Sequence, residues 1–202
     1  MFKRIGIFAA SVTLLLASAV SQAAGDHPAQ LMVEDAITTM LQVFKEDKDR
    51  LKSDPEYLQA KVDEIIVPRL DFESMTKLAL SKFWRRADKD QQQELVSEFT
   101  TLLLNTYTGA LTQYSGESIA FEEFRPASRE DRAEVRSNFS QSTGTDVPVI
   151  YKLRDRDGWL IYDIEVNDIS LVTSYRSAFS NEIEKDGIEG LIATLKERNG
   201  SS

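Results

Sequence analysis

Few side chains in this 202-residue sequence could act as nucleophiles, bases or metal ligands. There is no cysteine, and His27 is the single histidine, so a Ser-His-Asp triad has only one candidate base. His27 lies close to the start of the chain, where segments are usually mobile, and this argues against a catalytic role. The sequence also lacks an HExxH pair, a calcium-binding acidic loop and a glycine-rich phosphate loop. We therefore expect no metal site and no cofactor.

Two carboxylates and one arginine remain as candidates for chemistry. Asp163 interrupts an apolar run over residues 160–164, where an oily cavity would raise its pKa and suit a general base. The alternative is an exposed residue on the polar side of a strand. Asp71 is either an acid catalyst or a helix N-cap. Arg176 has a donor fork that suits a phosphodiester at a pocket mouth, or it is an exposed partner of nearby acids.

The first 23 residues have the features of an export signal. Lys3 and Arg4 precede an apolar run over residues 5–20, and small residues at Ser21 and Ala23 suit a signal peptidase. This run is shorter than the roughly 20 residues that a membrane span needs. We expect cleavage after Ala23 and a single domain over residues 24–202. With no cysteine at the cleavage point, lipid modification there is excluded.

The charge of the chain excludes two classes of partner. Removal of Lys3 and Arg4 with the signal leaves 22 Lys and Arg against 33 Asp and Glu, a net charge of −11. A nucleic-acid partner would require a basic stripe to neutralise phosphates, and no such stripe is present in the sequence. The same acidity argues against stable attachment to anionic membranes. We expect neither nucleic-acid binding nor stable membrane insertion.

Hydrophobic periodicity predicts an α+β fold. Helices are expected over residues 28–52, 55–66 and 89–114. A short helix is expected to begin after Asp71 as its N-cap, and two closing helices are expected on either side of Gly187. Four strands are expected over residues 118–124, 132–141, 146–154 and 159–166, with short connections that favour an antiparallel sheet. The prediction is therefore a four-stranded antiparallel sheet wrapped by helices.

One side of the sheet and two helix faces are consistently apolar. The residues expected to point inward are Val147, Val149, Tyr151 and Leu153, then Leu160, Tyr162, Ile164 and Val166, with Tyr107, Ala110, Leu111, Tyr114, Val172, Tyr175 and Phe179 on the helices. Periodicity does not distinguish a filled interior from a hollow one, so both a closed core and a pocket stay open here.

Many aromatic, turn and apolar residues along the chain form a pattern typical of one family. In the first half these are Pro68-Arg69-Leu70-Asp71-Phe72, Ala79-Leu80, Phe83-Trp84-Arg85, Gln92, Phe99, Leu102-Leu103 and Thr106-Tyr107. In the second half they are Tyr151-Lys152-Leu153, Gly158-Trp159, Tyr162-Asp163, Ile169-Ser170-Leu171-Val172, Tyr175-Arg176, Phe179, Gly187, Gly190-Leu191-Ile192 and Leu195. The sequence resembles the MlaC or toluene-tolerance family over nearly all of residues 24–202. Ser81 and Asp168 stand where the family commonly has glycine, and Leu95 where it commonly has phenylalanine.

The resemblance implies a periplasmic carrier of a glycerophospholipid rather than an enzyme. Its implied fold is a curved sheet similar to the nuclear-transport-factor-2 cone, with helical additions. Its implied partners are an outer-membrane lipoprotein-porin complex and an inner-membrane ABC transporter, in a system that maintains outer-membrane lipid asymmetry. The acyl chains of the lipid cargo are then expected to contact Tyr107, Leu111, Val149, Tyr151, Tyr162, Ile164, Val166, Val172, Tyr175 and Phe179, with Arg176 near the headgroup.

Two other functions are weighed against the carrier. One is an enzyme with the same cone fold that uses Asp163 as a general base on a small apolar substrate. The other is a structural adaptor or chaperone with a solid interior, whose outer faces do the binding. A cavity next to the predicted inward residues favours the carrier, and a filled interior favours the adaptor.

Overall fold

The computed structural model describes residues 27–111, 118–140 and 146–200, except for the side chains of residues 110 and 111. The predicted signal peptide, residues 1–23, lies outside these described residues. In chain order, the helices and strands are α1 (Pro28–Glu46), α2 (Lys48–Ser53), α3 (Pro55–Ile65), α4 (Phe72–Leu80), α5 (Lys89–Leu111), β1 (Ser118–Phe121), β2 (Arg132–Ser140), β3 (Asp146–Asp155), β4 (Trp159–Val166), β5 (Ile169–Ser170) and α6 (Leu171–Gly200). Short 3-10 turns cover Val67–Arg69 and Ser81–Arg86.

The strands form one antiparallel sheet in the order β1-β2-β3-β4-β5. The α+β prediction is confirmed, but the expected number of four strands is wrong. The fifth strand, β5, pairs Ile169 with Val166 and Ser170 with Glu165 after a two-residue turn. A strand of two residues is too short to produce an alternating pattern, so the sequence gives no periodic signal for it.

Local sequence signals explain where three helices begin. The Asp54 carboxylate accepts a hydrogen bond from the Tyr57 amide at 3.0 Å, and Pro55 occupies the first turn of α3. The Asp71 carboxylate caps α4 through the Ser74 amide at 2.9 Å. His27 caps α1, since its Nδ1 accepts a hydrogen bond from the Ala29 amide at 3.2 Å.

His27 therefore has a structural role and does not lie in a mobile terminus as the sequence suggested. Its ring stacks on Phe124 with a centroid distance of 4.1 Å and meets the edge of Trp159 at 5.1 Å. Burial lowers the pKa of His27 below its usual value. The imidazole joins the start of α1 to the sheet.

The predicted helix over residues 28–52 is interrupted at Asp47, where φ is −119° and ψ is 26°. The Tyr57 hydroxyl of α3 donates a hydrogen bond to the Asp47 carboxylate at 2.7 Å, and Arg50 lies 3.7 Å from the centre of the Tyr57 ring. These contacts fold α2 back onto α3. Tertiary contacts thus override a continuous helical pattern.

Two separate apolar cores lie in the described part of the chain. The larger core packs the sheet against the start of α1 and against α4, α5 and α6, with Val135, Leu153, Phe99 and Leu195 almost fully buried. The smaller core joins the end of α1 to α2 and α3, and its buried members are Met40, Phe44, Leu51, Leu58, Val62 and Ile65. Among the helices that the structure describes, none is long and apolar enough to cross a membrane.

Left-handed backbone conformations occur where the family pattern commonly has glycine. Ser81 has a φ of 50° and Asp168 a φ of 63°, next to Asn167 at 50°. Gly187 has a φ of 75° and interrupts α6, in agreement with the predicted break between two closing helices. A side chain with a Cβ is disfavoured in such conformations, most severely outside the small left-handed helical region.

The conformation of Ser81 predicts that a glycine there stabilises the protein. Ser81 combines a φ of 50° with a ψ of −119°, outside the left-handed helical region. Ser81→Gly should raise the free energy of unfolding by about 1 kcal/mol, because strain of about 1–3 kcal/mol at a residue with a Cβ is relieved. Urea denaturation measures the change. Ser81→Ala keeps the Cβ and should give no gain, and an equal gain in both variants would contradict this explanation.

Candidate functional site

A cavity of about 350 Å³ lies between the two apolar cores and is partly open to solvent. Five of the six helices and four of the five strands of the described chain contribute to its wall, so it occupies the centre of the fold. Its lining residues are Ile37, Met40, Leu41, Phe44, Val62, Ile66, Leu70, Phe72, Met75, Leu103, Leu104, Tyr107, Thr108, Ile119, Phe139, Val149, Tyr151, Ile164, Val166, Leu171 and Val172. Its volume falls within the range of about 300–1,000 Å³ that is usual for ligand sites.

The chemistry of the wall is almost entirely apolar. Tyr107, Thr108 and Tyr151 carry the only polar side-chain groups among the described lining residues, and none of these residues is charged at neutral pH. Burial, and then a hydrogen bond with Tyr175, raise the pKa of Tyr107 to about 12. Burial likewise raises the pKa of Tyr151 to about 12. The two phenols therefore stay neutral at physiological pH and place no charge in the cavity.

A buried ion pair positions the wall formed by Leu70, Phe72 and Met75. The Asp71 amide donates to the Ile161 carbonyl at 2.8 Å, which fixes this segment beside β4. The Asp71 carboxylate accepts hydrogen bonds from the Ser74 hydroxyl at 2.7 Å and from Arg154 Nε at 2.8 Å. The chain entering α4 is thus tied both to its own first turn and to β3.

The pKa of Asp71 reflects these contacts. Burial acts to raise it, but the hydrogen bonds from Ser74 and Arg154 and the charge of Arg154 outweigh burial and lower the pKa below 3.8. Asp71 is therefore ionised at neutral pH and acts as a helix cap and anchor. Since its oxygens are bonded within the fold and it does not line the cavity, the acid-catalyst alternative has no geometric support.

Six of the ten residues predicted to contact acyl chains line the cavity. They are Tyr107, Val149, Tyr151, Ile164, Val166 and Val172. The side chain of Leu111 lies outside the described residues. The remaining three, Tyr162, Tyr175 and Phe179, are placed elsewhere by the fold.

Tyr162 was assigned to the wrong face because of a β-bulge. Leu153 pairs with Ile161, whereas the preceding Lys152 pairs with Asp163, so Tyr162 has no partner on β3. An extra residue of this kind shifts the alternation by one position. The inward prediction is therefore right for Ile164 and Val166 after the bulge, and wrong for Tyr162, which instead lies in a cleft beside Arg132.

Tyr175 and Phe179 pack in the larger core instead of lining the cavity. Both rings meet the edge of the Phe99 ring, each at a centroid distance of 5.1 Å. They share a helix face with Val172, but they lie one and two turns further along α6 and are not part of the cavity wall, although Tyr175 is hydrogen-bonded to the lining residue Tyr107. The helical spacing identifies the buried face of α6 correctly, but it does not show at which residue of that face the cavity ends.

Arg176 does not lie at the cavity. Its Nε and one terminal nitrogen donate to the Leu78 carbonyl at 3.2 and 3.0 Å, so the guanidinium joins α6 to α4. The structure therefore does not place Arg176 at the cavity mouth, where the headgroup contact was expected, because the side chain is directed to a neighbouring helix. The Arg176 side chain is exposed, as the alternative interpretation expected, but its partner is a backbone carbonyl and not an acidic side chain.

Asp163 is buried, with 3 % of its surface exposed, and it does not line the cavity. Its carboxylate accepts hydrogen bonds from the Ser170 hydroxyl at 2.8 Å and from the Ile164 amide at 2.9 Å, with the Val172 amide at 3.4 Å. The expectation of an exposed residue is wrong because Asp163 holds the β4–β5 turn against the start of α6. These bonds also direct it away from the cavity wall.

Sequence reasoning did not select the cavity residues of α1 and α3. Ile37, Met40, Leu41 and Phe44 recur with the spacing of one helix face, and Val62 belongs to a second such face. This spacing predicts a buried helix face, but a face against a cavity has the same pattern as a face against a packed core. In the residues that the structure describes, no group of His, Cys, Asp and Glu is arranged to hold a metal ion.

The MlaC family model matches residues 34–197 of this chain, which is most of its length and includes every residue of the described cavity wall. The chain belongs to the MlaC family. The family prediction made from the sequence is thus confirmed.

Relatives and a solved structure agree with this family. The toluene tolerance protein ttg2D of Pseudomonas putida is 27 % identical over 160 residues, which cover 77 % of this chain and 73 % of that protein. The intermembrane phospholipid transport system binding protein MlaC of Haemophilus influenzae is 22 % identical, covering 83 % of this chain and 80 % of that protein. The solved phospholipid-binding protein of Ralstonia solanacearum, in complex with a phospholipid, is 33 % identical with a TM-score of 0.78, covering 87 % of this chain and 98 % of that one.

The buried pair in this MlaC family member predicts a pH-dependent contribution to stability. Asp71→Asn should lower the free energy of unfolding by about 3 kcal/mol near neutral pH, because it leaves Arg154 without its buried counter-charge. The folded-state pKa of Asp71 is lowered, so the advantage of the native residue is complete above its usual value of 3.8 and declines as the pH falls through the lowered pKa. Urea denaturation at several pH values measures both effects.

Asp35→Asn is the matched control for this pair. It removes the carboxylate from an ion pair with Arg69 in which the Asp35 side chain is 66 % exposed. Exposed pairs contribute little, so we expect a change below about 1 kcal/mol. Equal losses in the two variants, or a loss in Asp71→Asn that does not shrink at low pH, would contradict the role given to the Asp71–Arg154 pair.

Proposed function

We propose that this protein is a periplasmic carrier that binds a glycerophospholipid by its acyl chains in the central cavity. The observation that carries the proposal is the composition of the wall, which is apolar apart from three hydroxyl groups and contains no charged residue among those described. The phospholipid bound to the similar Ralstonia solanacearum protein supports the same type of cargo. The name of the Haemophilus influenzae relative supports a role in intermembrane phospholipid transport.

The free energy of transfer explains why a carrier is needed. Each methylene group moved from an apolar environment into water costs about 0.8 kcal/mol, so a lipid with about 30 methylenes faces a cost of ~24 kcal/mol. A protein interior that resembles the bilayer removes most of this cost. The direction of transfer then depends on the difference between the bound and membrane states, not on total burial.

The cargo contacts follow from the wall. Tyr107, Val149, Tyr151, Ile164, Val166 and Val172 are proposed to contact acyl chains together with the α1 and α3 residues that the sequence did not single out. Leu111, at the end of α5, remains a proposed contact that the described side chains do not include. The neutral phenol of Tyr151 can donate a hydrogen bond to an ester oxygen at no electrostatic cost to the apolar chains, whereas the Tyr107 hydroxyl is already hydrogen-bonded to Tyr175.

The remaining parts of the proposal come from the family. Residues 1–23 are proposed to be removed on export, and residues 24–202 to form one phospholipid-binding domain. The partners are proposed to be an outer-membrane lipoprotein-porin complex and an inner-membrane ABC transporter that together maintain outer-membrane lipid asymmetry. The sheet, with helices enclosing a cavity on one face, is proposed to be a variant of the nuclear-transport-factor-2 cone.

A carrier is preferred to an enzyme of similar fold. The enzyme hypothesis requires a general base at the apolar cavity, and Asp163, the proposed base, is bonded to the start of α6 instead. The adaptor hypothesis requires a filled interior, which the cavity disfavours.

Organic extraction of the purified protein, followed by mass spectrometry, tests the carrier proposal. We expect glycerophospholipid in near-stoichiometric amount after purification without detergent. The same extraction of an unrelated periplasmic protein from the same cells controls for carry-over. Phospholipid at no more than the control level would contradict the proposal.

A matched pair of substitutions on β3 tests whether the cavity holds the cargo. Val149 lines the cavity, whereas the adjacent Ile150 points to the other face of the sheet. Val149→Trp should fill part of the cavity and reduce co-purified phospholipid severalfold, while Ile150→Trp should leave it unchanged. The comparison uses the same mass-spectrometric assay, and thermal unfolding confirms that both variants fold. Equal lipid content in the two variants would rule out this cavity as the site.

Asp163 gives a second, separate prediction. Asp163→Asn should lower the free energy of unfolding by about 1–2 kcal/mol, because the charge at the start of α6 is lost and its hydrogen bonds weaken. Phospholipid content should stay at the level of the unmodified protein. Denaturation and lipid extraction measure the two quantities. A variant of native stability that has lost its lipid would instead assign Asp163 to the binding site.

A further inference from the structure

A second cleft, of about 270 Å³, lies apart from the acyl cavity and shares no lining residue with it. Its wall consists of Ser74, Lys77, Leu78, Arg132, Arg154 and Tyr162. Helix α4 separates the two sites, because Phe72 and Met75 face the cavity while Ser74, Lys77 and Leu78 lie on the opposite side of the helix.

The cleft brings together three cations without an acidic residue in its wall. This is unusual in a chain with 33 Asp and Glu against 24 Lys and Arg. The carboxylates that pair with these cations are Asp71, Glu73 and Asp131, and none of them lines the cleft. The surface facing the cleft therefore offers hydrogen-bond donors from Lys77, Arg132 and Arg154.

Each of the three cations is held in place by a neighbour. Asp71 and the Ser74 hydroxyl hold the Arg154 guanidinium, whose side chain is only 13 % exposed. The Arg132 guanidinium lies over the Tyr162 ring at 5.3 Å from its centre. Lys77 pairs with Glu73 and lies 5.2 Å from the centre of the Trp84 ring. Donors that are already ordered lose little conformational entropy when a ligand binds.

The β-bulge in β4 is a second observation that points to this cleft. The extra residue of the bulge is Tyr162, and the bulge removes it from the cavity face and places it beside Arg132. Bulges are frequent next to functional sites, where they redirect one side chain. Here the redirected Tyr162 ring packs under the Arg132 guanidinium, and its hydroxyl group becomes part of the cleft wall.

We propose that this cleft binds a phosphate-class oxyanion, either free phosphate or the phosphate of a lipid headgroup presented at a membrane surface. Guanidinium groups match the geometry of phosphate oxygens, and Lys77 and the Tyr162 hydroxyl complete the set of donors, because the Ser74 hydroxyl already donates to Asp71. The site is independent of the acyl cavity, so it is a binding activity in addition to the carrier function.

An NMR titration with sodium phosphate tests the proposal, with sodium chloride used to keep the ionic strength constant. Saturable shifts are expected at the amides around the cleft, including Ser74, Lys77 and Arg132. Arg132→Gln and Lys77→Gln should each weaken binding about tenfold, since each removes a charged donor. Their side chains are 31 % and 33 % exposed, so the fold should tolerate both changes. Arg154 is left intact because its removal would leave the buried Asp71 carboxylate without its counter-charge.

Lys82→Gln is the matched control, since it removes the same charge from a side chain that is 68 % exposed and outside the cleft, and its partner Glu184 does not pair with a cleft residue. Its phosphate affinity should equal that of the unmodified protein. Lipid content after extraction should also be unchanged in Arg132→Gln, which separates this proposal from the carrier function. The proposal is overturned if phosphate gives no saturable shifts, or if Arg132→Gln and Lys77→Gln bind as tightly as Lys82→Gln.

Vesicle flotation distinguishes the two sources of phosphate. Binding to phosphatidylglycerol vesicles that depends on Arg132, and is competed by free phosphate, would identify a lipid headgroup as the ligand. Phosphate binding in the NMR titration without any vesicle binding would identify free phosphate. Both results support an oxyanion site, whereas vesicle binding that is equal in Arg132→Gln would exclude the headgroup.

Discussion

The fold depends on keeping two apolar cores apart in water, although closing them on each other would bury more apolar surface. Met40, Phe44 and Val62 belong to the smaller core and Val149 and Val172 to the larger one, and all five line the cavity. Burial of apolar surface gains roughly 25 cal/mol per Å², so an empty cavity of this kind tends to close unless its walls are fixed or a ligand fills it. The cavity proposed as the binding site is therefore also a source of instability.

Polar contacts behind the walls keep the cavity open. Asp71 and Arg154 hold the segment from Leu70 to Met75 beside the sheet, and Asp163 with Ser170 holds the start of α6 against the end of β4. Neither pair lines the cavity, so the charges position the apolar residues without entering the site. The polar residues that first suggested enzymatic chemistry thus support the cavity and do not act in it.

The sequence allowed the fold class and part of the cavity wall to be predicted. The alternation along β3 placed Val149 and Tyr151 correctly, and the helical spacing placed Tyr107 and Val172. The pattern along β4 failed at Tyr162, since a bulge shifts the alternation and depends on pairing with another strand. The helical spacing along α6 does not distinguish Tyr175 and Phe179, which pack on Phe99, from Val172 on the same helix face. A cavity is a property of how several elements meet, and the periodicity of one element does not record it.

Intermolecular NMR contacts between the protein and its co-purified lipid test the central claim most directly. With isotope-labelled methyl groups, we expect nuclear Overhauser effects from acyl methylenes to Met40, Val149 and Val172, which represent both cores and the start of α6. Contacts from the acyl chains only to methyl groups on the outer surface, such as Leu31, would contradict an acyl-binding site between the two cores.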